Sequence, residues 1–177
     1  MATIGLFYGT DTGNTERIAK RIKELLEQAG QTVDLHEIYK KTKDDMAKYN
    51  LLVLGMPTWY DGELQGDWEA YMDEMKQIDF TGKKVAFFGL GDQYGYASYF
   101  CDALGVFAKI VEDNNGQLVG FWPVAGYEHD FSKAQRGDYF VGLCLDVDNQ
   151  DNLTEERVQG WVKQILREMK LTSESAS

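Results

Sequence analysis

Short apolar runs alternate with amphipathic segments over most of this sequence, which limits the folds open to it. We predict strands from runs rich in β-branched and aromatic residues, at residues 3–8, 32–35, 51–55, 85–89, 118–122 and 139–145. Several runs lack polar alternation, as expected for strands of a parallel sheet covered on both faces.

Apolar residues recur at helical spacing between these strands. We expect the first helix to end at Gly30. The last helix should begin at Thr154 as N-cap, with Glu155 and Glu156 in its first turn. A weaker helix is predicted over residues 67–75. The three clear stripes are Ile18, Ile22, Leu25, Leu26 and Ala29; then Phe100, Leu104, Phe107, Ala108 and Val111; then Val158, Trp161, Val162, Ile165, Leu166 and Met169.

Alternating strands and helices predict βαβ units with right-handed crossovers, and therefore an α/β fold with a doubly wound, five-stranded parallel sheet and helices on both faces. Residues 123–138 contain no helical period and lie between two strand-like runs, so we interpret them as an insertion that splits the last strand. We expect one domain over residues 1–171 and a frayed tail at residues 172–177.

The net charge limits the kinds of partner that this chain can bind. Eighteen basic and 29 acidic residues give a net charge of −11, which disfavours nucleic acids and anionic membranes and favours basic partners.

Cys101 and Cys144 lack metal-ligand spacing, so we expect two buried thiols and no metal site. The first eight residues lack a basic leader and no apolar run could span a bilayer, so we expect a cytoplasmic protein.

A threonine-rich loop follows the first strand and leads into the first helix. It consists of Gly9, Thr10, Asp11, Thr12, Gly13, Asn14 and Thr15. Free backbone N–H groups and the positive helix end suit an anion in this arrangement. The loop has neither the lysine of a Walker A motif nor the spacing of a dinucleotide site, so it fits one terminal phosphate held by neutral donors. A turn that only caps the helix is the simpler alternative.

Two aromatic loops follow the third and fourth long strands, at residues 57–64 and 89–97. Ligands of open α/β sheets sit at the carboxyl ends of the strands, a rule for which flavodoxin with FMN is itself a standard example. Aromatic rings beside glycines provide stacking faces and bare backbone for a flat heteroaromatic ring.

At these motifs the sequence resembles the flavodoxins, over essentially the whole chain. The insertion after Trp122 is typical of the long-chain subgroup, and the pattern is most similar to housekeeping flavodoxins of proteobacteria. The matching segments are Thr10-Asp11-Thr12-Gly13-Asn14-Thr15, Pro57-Thr58-Trp59, Gly91-Asp92-Gln93 with Gly95-Tyr96, and Phe140-Val141-Gly142-Leu143 followed by Asp146.

The resemblance implies an FMN site with strand order 2-1-3-4-5. Thr10, Thr12, Asn14 and Thr15 would hold the phosphate, and Thr58 and Asp146 would face the ribityl chain. Trp59 would cover the inner face of the flavin, Tyr96 the outer face, and Gly91 and Asp92 the pyrimidine edge. The site would also include Asp11, Gly13, Pro57 and the turn formed by Tyr60, Asp61 and Gly62, in which the peptide after Tyr60 flips on reduction. Tyr94 falls at a variable position and stays outside the predicted site.

The resemblance also implies a monomeric, low-potential one-electron carrier that uses the semiquinone/hydroquinone couple and has no substrate turnover of its own. It would accept electrons from an NADPH-dependent flavodoxin reductase and pass them to low-potential enzymes with basic docking faces. Residues 61–79 contain seven acidic residues and one basic residue, a charge excess that would disfavour reduction of a nearby flavin.

Two other classes of protein share this architecture. A flavin-dependent quinone or azo-compound reductase needs open space over the flavin, which Tyr96 would block. A response-regulator receiver needs an acidic pair after the first strand and an aspartate ending the third; this chain has Gly9-Thr10 and Gly55-Met56-Pro57 there.

Overall fold

The computed structural model describes residues 3–171, so the expected frayed tail lies outside the described residues. Within that range the strands are β1 (Thr3–Tyr8), β2 (Thr32–Glu37), β3 (Leu51–Trp59), β4 (Glu63–Leu64), β5 (Lys84–Leu90), β6 (Gln117–Val119), β7 (Trp122–Pro123), β8 (Gln135–Arg136), β9 (Tyr139–Phe140) and β10 (Leu143–Leu145). The helices are α1 (Asn14–Gln28), α2 (Lys43–Ala47), α3 (Gly66–Met75), α4 (Asp102–Asp113) and α5 (Asp151–Glu168).

The main sheet is parallel in the order β2-β1-β3-β5-β10, apart from β4, which pairs antiparallel with the end of β3. Strands β6 and β10 both pair with the same edge of β5, β6 beside residues 84–86 and β10 beside residues 88–90. They are therefore two halves of one interrupted strand, and the predicted strand order and split final strand are confirmed.

The insertion is longer than predicted. The main-sheet strand stops at Val119 and resumes at Leu143, while β7, β9 and β8 form a separate three-stranded antiparallel sheet between them. The predicted strands over residues 118–122 and 139–145 were therefore too long. Gly120 has φ +83°, a conformation that glycine adopts without strain, and it turns the chain out of the main sheet.

Helices α1 and α5 cover one face of the main sheet, and α3 and α4 cover the other. Adjacent residues of β1 serve different faces, because Leu6 packs with α1 and α5 whereas Phe7 packs with α3 and α4. Both faces need apolar side chains, which explains the unbroken apolar runs in the sequence.

Four helical details differ from the sequence-based predictions. Phe100, predicted in the second apolar stripe, precedes α4, which begins at Asp102. Helix α5 begins at Asp151 with Gln150 as N-cap, so Thr154 lies buried within the helix and is not its N-cap. Helix α2 was not predicted because its five residues are too few to show a period; a capping box between Thr42 and Asp45 marks its start. The weaker predicted helix is α3, which starts at Gly66.

Both cysteines are buried, as predicted. None of the helices within residues 3–171 is long and apolar enough to cross a membrane.

Candidate cofactor-binding cleft

A cleft opens at the carboxyl ends of β1, β3 and β5. Ten of the predicted site residues line the cleft: Thr12, Asn14, Thr15, Pro57, Thr58, Trp59, Tyr60, Gly91, Asp92 and Tyr96. Three further lining residues were not predicted: Leu90, Val147 and Asp148. None of these side chains is basic.

The loop after β1 leaves the N-terminus of α1 open towards the cleft. Gly13 is the N-cap with φ +90°, and no side chain caps the helix. Thr10 belongs to the loop's internal support, because its Oγ1 accepts a hydrogen bond from Gly13 N at 2.9 Å. The first backbone N–H groups of a helix need partners, so an uncapped first turn beside Thr12 and Asn14 could accept an anion without a basic side chain.

Asp11 connects this loop to an aromatic residue of the cleft. Its carboxylate accepts hydrogen bonds from Trp59 Nε1 at 2.8 Å and from Gln65 Nε2 at 3.1 Å. Gln65 is 1% exposed, caps α3 by accepting from Trp68 N at 3.1 Å, and was not identified from the sequence. Its position two residues before the predicted helix over residues 67–75 was the one signal that could have identified it.

The predicted aromatic loop after β3 is partly strand. Pro57, Thr58 and Trp59 end β3, and Trp59 pairs with Glu63 of β4 across a tight turn. Such a hairpin requires positive φ angles in the turn, which Tyr60 (+44°) and Gly62 (+86°) supply. Asp61 is exposed in this turn and, like Gly62, is not part of the cleft lining.

Aromatic rings form the mouth of the cleft. Tyr60 and Tyr96 meet edge to face with ring centroids 5.7 Å apart, and Trp59 lies 6.4 Å from Tyr60. Thr58 anchors this side to α4, because its Oγ1 accepts from Ala103 N at 2.9 Å. The arrangement provides apolar faces for a flat ring together with bare backbone along its edges.

The opposite side of the cleft is acidic. Burial raises the pKa of Asp92, but hydrogen bonds from Gly95 N, Asn149 Nδ2 and Tyr94 N outweigh burial and hold the pKa below its ordinary value. The pKa of Asp148 is raised by partial burial and by the charges of Asp92 and Asp146.

Position alone could have identified Val147 and Asp148, since they follow the carboxyl end of the last strand.

Asp146, which is predicted to face the ribityl chain, is not among the residues that line the cleft. It is fully buried, and its Oδ2 accepts from Gln93 Nε2 at 2.8 Å and from Asn149 Nδ2 at 2.9 Å. Its Oδ1 accepts from Asn149 N at 3.1 Å. With both oxygens engaged, Asp146 fixes the two loops that flank the cleft.

The cleft thus fits an anion at one end and a flat aromatic ring at the other. A Cβ atom on Gly91 would lie 2.9 Å from Phe100 Cδ1 and 3.0 Å from Cys101 N, so this position accepts no side chain and presents bare backbone. Among the described residues, no cluster of His, Cys, Asp and Glu could hold a metal ion.

Comparison with known proteins gives consistent matches. Residues 6–161 match the Flavodoxin family. The chain is 51% identical to Flavodoxin 1 of Escherichia coli K12, covering 97% of both chains, and 52% identical to a flavodoxin of Synechocystis, covering 93% of this chain and 96% of the relative. The structure of a Fusobacterium nucleatum flavodoxin bound to flavin mononucleotide has a TM-score of 0.90 and 32% identity, covering 95% of this chain and 99% of that one. The chain therefore belongs to the flavodoxin family.

Proposed function

We propose that this protein is a one-electron carrier that binds one FMN in the cleft and uses its low-potential couple. The observation that carries the proposal is the pairing of a neutral anion loop with an aromatic, acidic cleft at one sheet edge. Bound FMN would supply the redox chemistry, which no side chain of the cleft provides.

The residues of the cleft divide into three roles. Thr12, Asn14 and Thr15 would hold the phosphate, and they neutralise none of its charge because they are uncharged. Trp59 and Tyr96 would flank the ring and keep water away from its faces. The turn at Tyr60 would supply backbone groups to the ring edge.

Carboxylates around the cleft would oppose the addition of an electron. Asp92 and Asp148 are part of its lining, and Asp61 and Glu63 lie at the turn beside it. One unit charge at about 10 Å in bulk water contributes about 0.4 kcal/mol, or roughly 20 mV for one electron. Several such charges, less screened than in bulk water, would lower the potential by on the order of 100 mV.

The acidic surface would also select basic partners, with an NADPH-dependent flavodoxin reductase as electron donor and low-potential enzymes as acceptors. Opposite charges accelerate encounter without requiring a permanent complex, which suits a carrier that must bind and leave.

Titration of the cofactor-free protein with FMN, riboflavin and FAD tests the proposal. We expect the tightest binding for FMN, because the loop holds a terminal phosphate and leaves no space for the AMP half of FAD. The Thr12→Ala variant should weaken FMN binding by about tenfold, as expected for loss of a hydrogen bond to a charged group, and leave riboflavin binding unchanged.

Two outcomes would contradict the proposal. Preferential binding of FAD would refute the cofactor assignment. Rapid bleaching of the loaded protein by NADPH without a reductase would indicate an enzyme and not a carrier.

A further inference from the structure

Exposed aromatic side chains are concentrated on the segments that carry the cleft residues Tyr60 and Tyr96 and on the insertion beside them. Seven large apolar side chains are exposed in the described part of the chain. Two of them are Tyr39, which follows β2, and Tyr139, which belongs to β9 of the small sheet. The other five lie on the β3–β4 turn, on residues 91–100 and at position 131 of the insertion: Tyr60, Tyr94, Tyr96, Tyr99 and Phe131.

Phe131 is the one phenylalanine among these five residues, and it is not part of the cleft lining. It is 57% exposed, and it belongs to the part of the insertion that we call the insertion segment, residues 128–134. The side chain of Phe131 has no polar group that could form a hydrogen bond with water. An exposed cluster of large apolar side chains commonly marks an interaction site.

The exposure of Phe131 does not come from a loosely held loop. Asp130 N and Phe131 N both donate to Ala97 O, at 2.8 and 3.0 Å. On the C-terminal side, Ser132 is 3% exposed and donates to Phe100 O, and Lys133 N donates to Asp102 Oδ1 at 2.8 Å. The backbone is therefore fixed on both sides of Phe131, whose side chain is exposed.

The same hydrogen bonds connect Phe131 to the rest of the aromatic cluster. The insertion segment runs alongside residues 93–102, which carry Tyr96 and Tyr99. Tyr99 lies beside the turn after β3, since a Cβ on Gly62 would be 3.3 Å from its ring. The five aromatic residues therefore lie on three neighbouring segments, two of which supply the cleft residues Tyr60 and Tyr96.

The charges on these segments are mostly negative. Four exposed carboxylates lie on two of the three segments, the β3–β4 region and the insertion segment, where the one exposed basic residue is Lys133: Asp61, Glu63, Glu128 and Asp130. A partner must therefore offer basic residues around an apolar depression, which is the common arrangement of a polar rim around a buried anchor.

We infer that Phe131 is an anchor residue for a basic electron-donor protein, inserting its ring into an apolar depression of that partner beside the cleft. The inference rests on the proposed function, because the partner is the reductase of that proposal. Long-range attraction comes from the acidic residues, whereas Phe131 acts after encounter by slowing dissociation.

Stopped-flow reduction of the FMN-loaded protein by an NADPH-dependent flavodoxin reductase, at increasing reductase concentration and about 0.15 M salt, tests this inference. Phe131→Ala should raise the apparent Kd by about fivefold or more, a size typical of an interface anchor. Phe131→Leu should recover part of this loss. The matched control is Tyr39→Ala, which removes a ring of similar exposure (54%) and should change Kd by less than about twofold.

The outcomes separate the inference from the function on which it rests. Equal effects of Phe131→Ala and Tyr39→Ala would overturn the inference while leaving the carrier function intact. A loss of FMN affinity in Phe131→Ala that matches the loss in transfer would also overturn it, since the residue would then act through the cleft. Failure of the reductase to reduce the unmodified protein would refute the proposed function, and the inference with it.

Discussion

At the scale of single residues, Thr58 serves both the cleft and the fold. Its side chain is part of the cleft lining, yet its hydroxyl oxygen is the acceptor for Ala103 N in the first turn of α4. The side chain is 9% exposed, so water gives this N–H little compensation if the hydroxyl is lost.

We expect Thr58→Val, which keeps the shape of the side chain, to lower the free energy of unfolding of the cofactor-free protein by about 1–3 kcal/mol, the usual cost of an unpaired buried donor. Thr58→Ser keeps the hydroxyl and should lose clearly less. Urea unfolding of the two variants measures the difference. Equal losses in both would mean that the methyl group, and not the hydrogen bond, matters at this position.

The sequence predicts residues of the site well where residue type and strand position agree, as for Trp59 and Asn14. It does not show the hydrogen-bond partners of Asp146, because these are Gln93 and Asn149, and Gln93 is 53 positions away along the chain. A carboxylate that accepts hydrogen bonds from the protein and one that faces a ligand look identical in sequence.

At the scale of elements, long periodic helices and apolar strands were predicted because each must bury a continuous apolar face. Helix α2 and the three strands of the insertion are too short for a period, and a glycine at positive φ decides where β6 ends. Short elements depend on contacts between distant segments, which a single sequence does not display.

Gln65 connects the anion loop after β1 to helix α3. Its Nε2 donates both to Asp11 Oδ1 and to Asp67 Oδ2, at 3.1 and 2.9 Å. In Gln65→Glu an oxygen would replace this donor and face two carboxylates. We expect a loss of about 1–3 kcal/mol in unfolding free energy at about pH 7.

The loss of unfolding free energy in Gln65→Glu should depend on pH, and the crowding of carboxylates determines the sign of that dependence. Crowding raises the pKa of the introduced carboxyl group in the folded state, so protonation favours folding and the loss should shrink as the pH falls towards about 4. The control is Gln77→Glu, whose exposed side chain accepts from Lys43 Nζ at 3.1 Å and should change stability by less than about 0.5 kcal/mol. Urea unfolding across the pH series measures both variants, and a pH-independent loss in Gln65→Glu would indicate a packing effect.

At the scale of the whole molecule, the net charge of −11 and the acidic edge of the cleft act together on encounter. We expect the second-order rate of reduction by a basic reductase to fall steeply from about 0.01 to 0.15 M salt, where the Debye length contracts from about 30 to 8 Å. Stopped-flow measurements across this series give the slope.

Two double charge reversals separate local charge from net charge. Asp61→Lys with Glu63→Lys should lower the rate at low salt and flatten the slope, whereas Asp44→Lys with Glu156→Lys changes the net charge equally but lies away from the cleft and should do less. Glu155 is unsuitable as a control because it pairs with Arg21 at 2.7 Å. Equal effects of the two reversals would mean that only net charge steers the encounter.

The interrupted last strand sets the order in which the molecule can be assembled during synthesis. The anion loop and both aromatic segments are translated before β10, but Val147 and Asp148 follow it and close the cleft only after β10 has joined β5. At roughly 5–20 residues per second, the nascent chain carries an incomplete cofactor site and an open edge on β5 for about a second or more while the insertion is made. We therefore expect cofactor capture to follow synthesis of the insertion, and a chain released before β10 to be prone to edge-to-edge association.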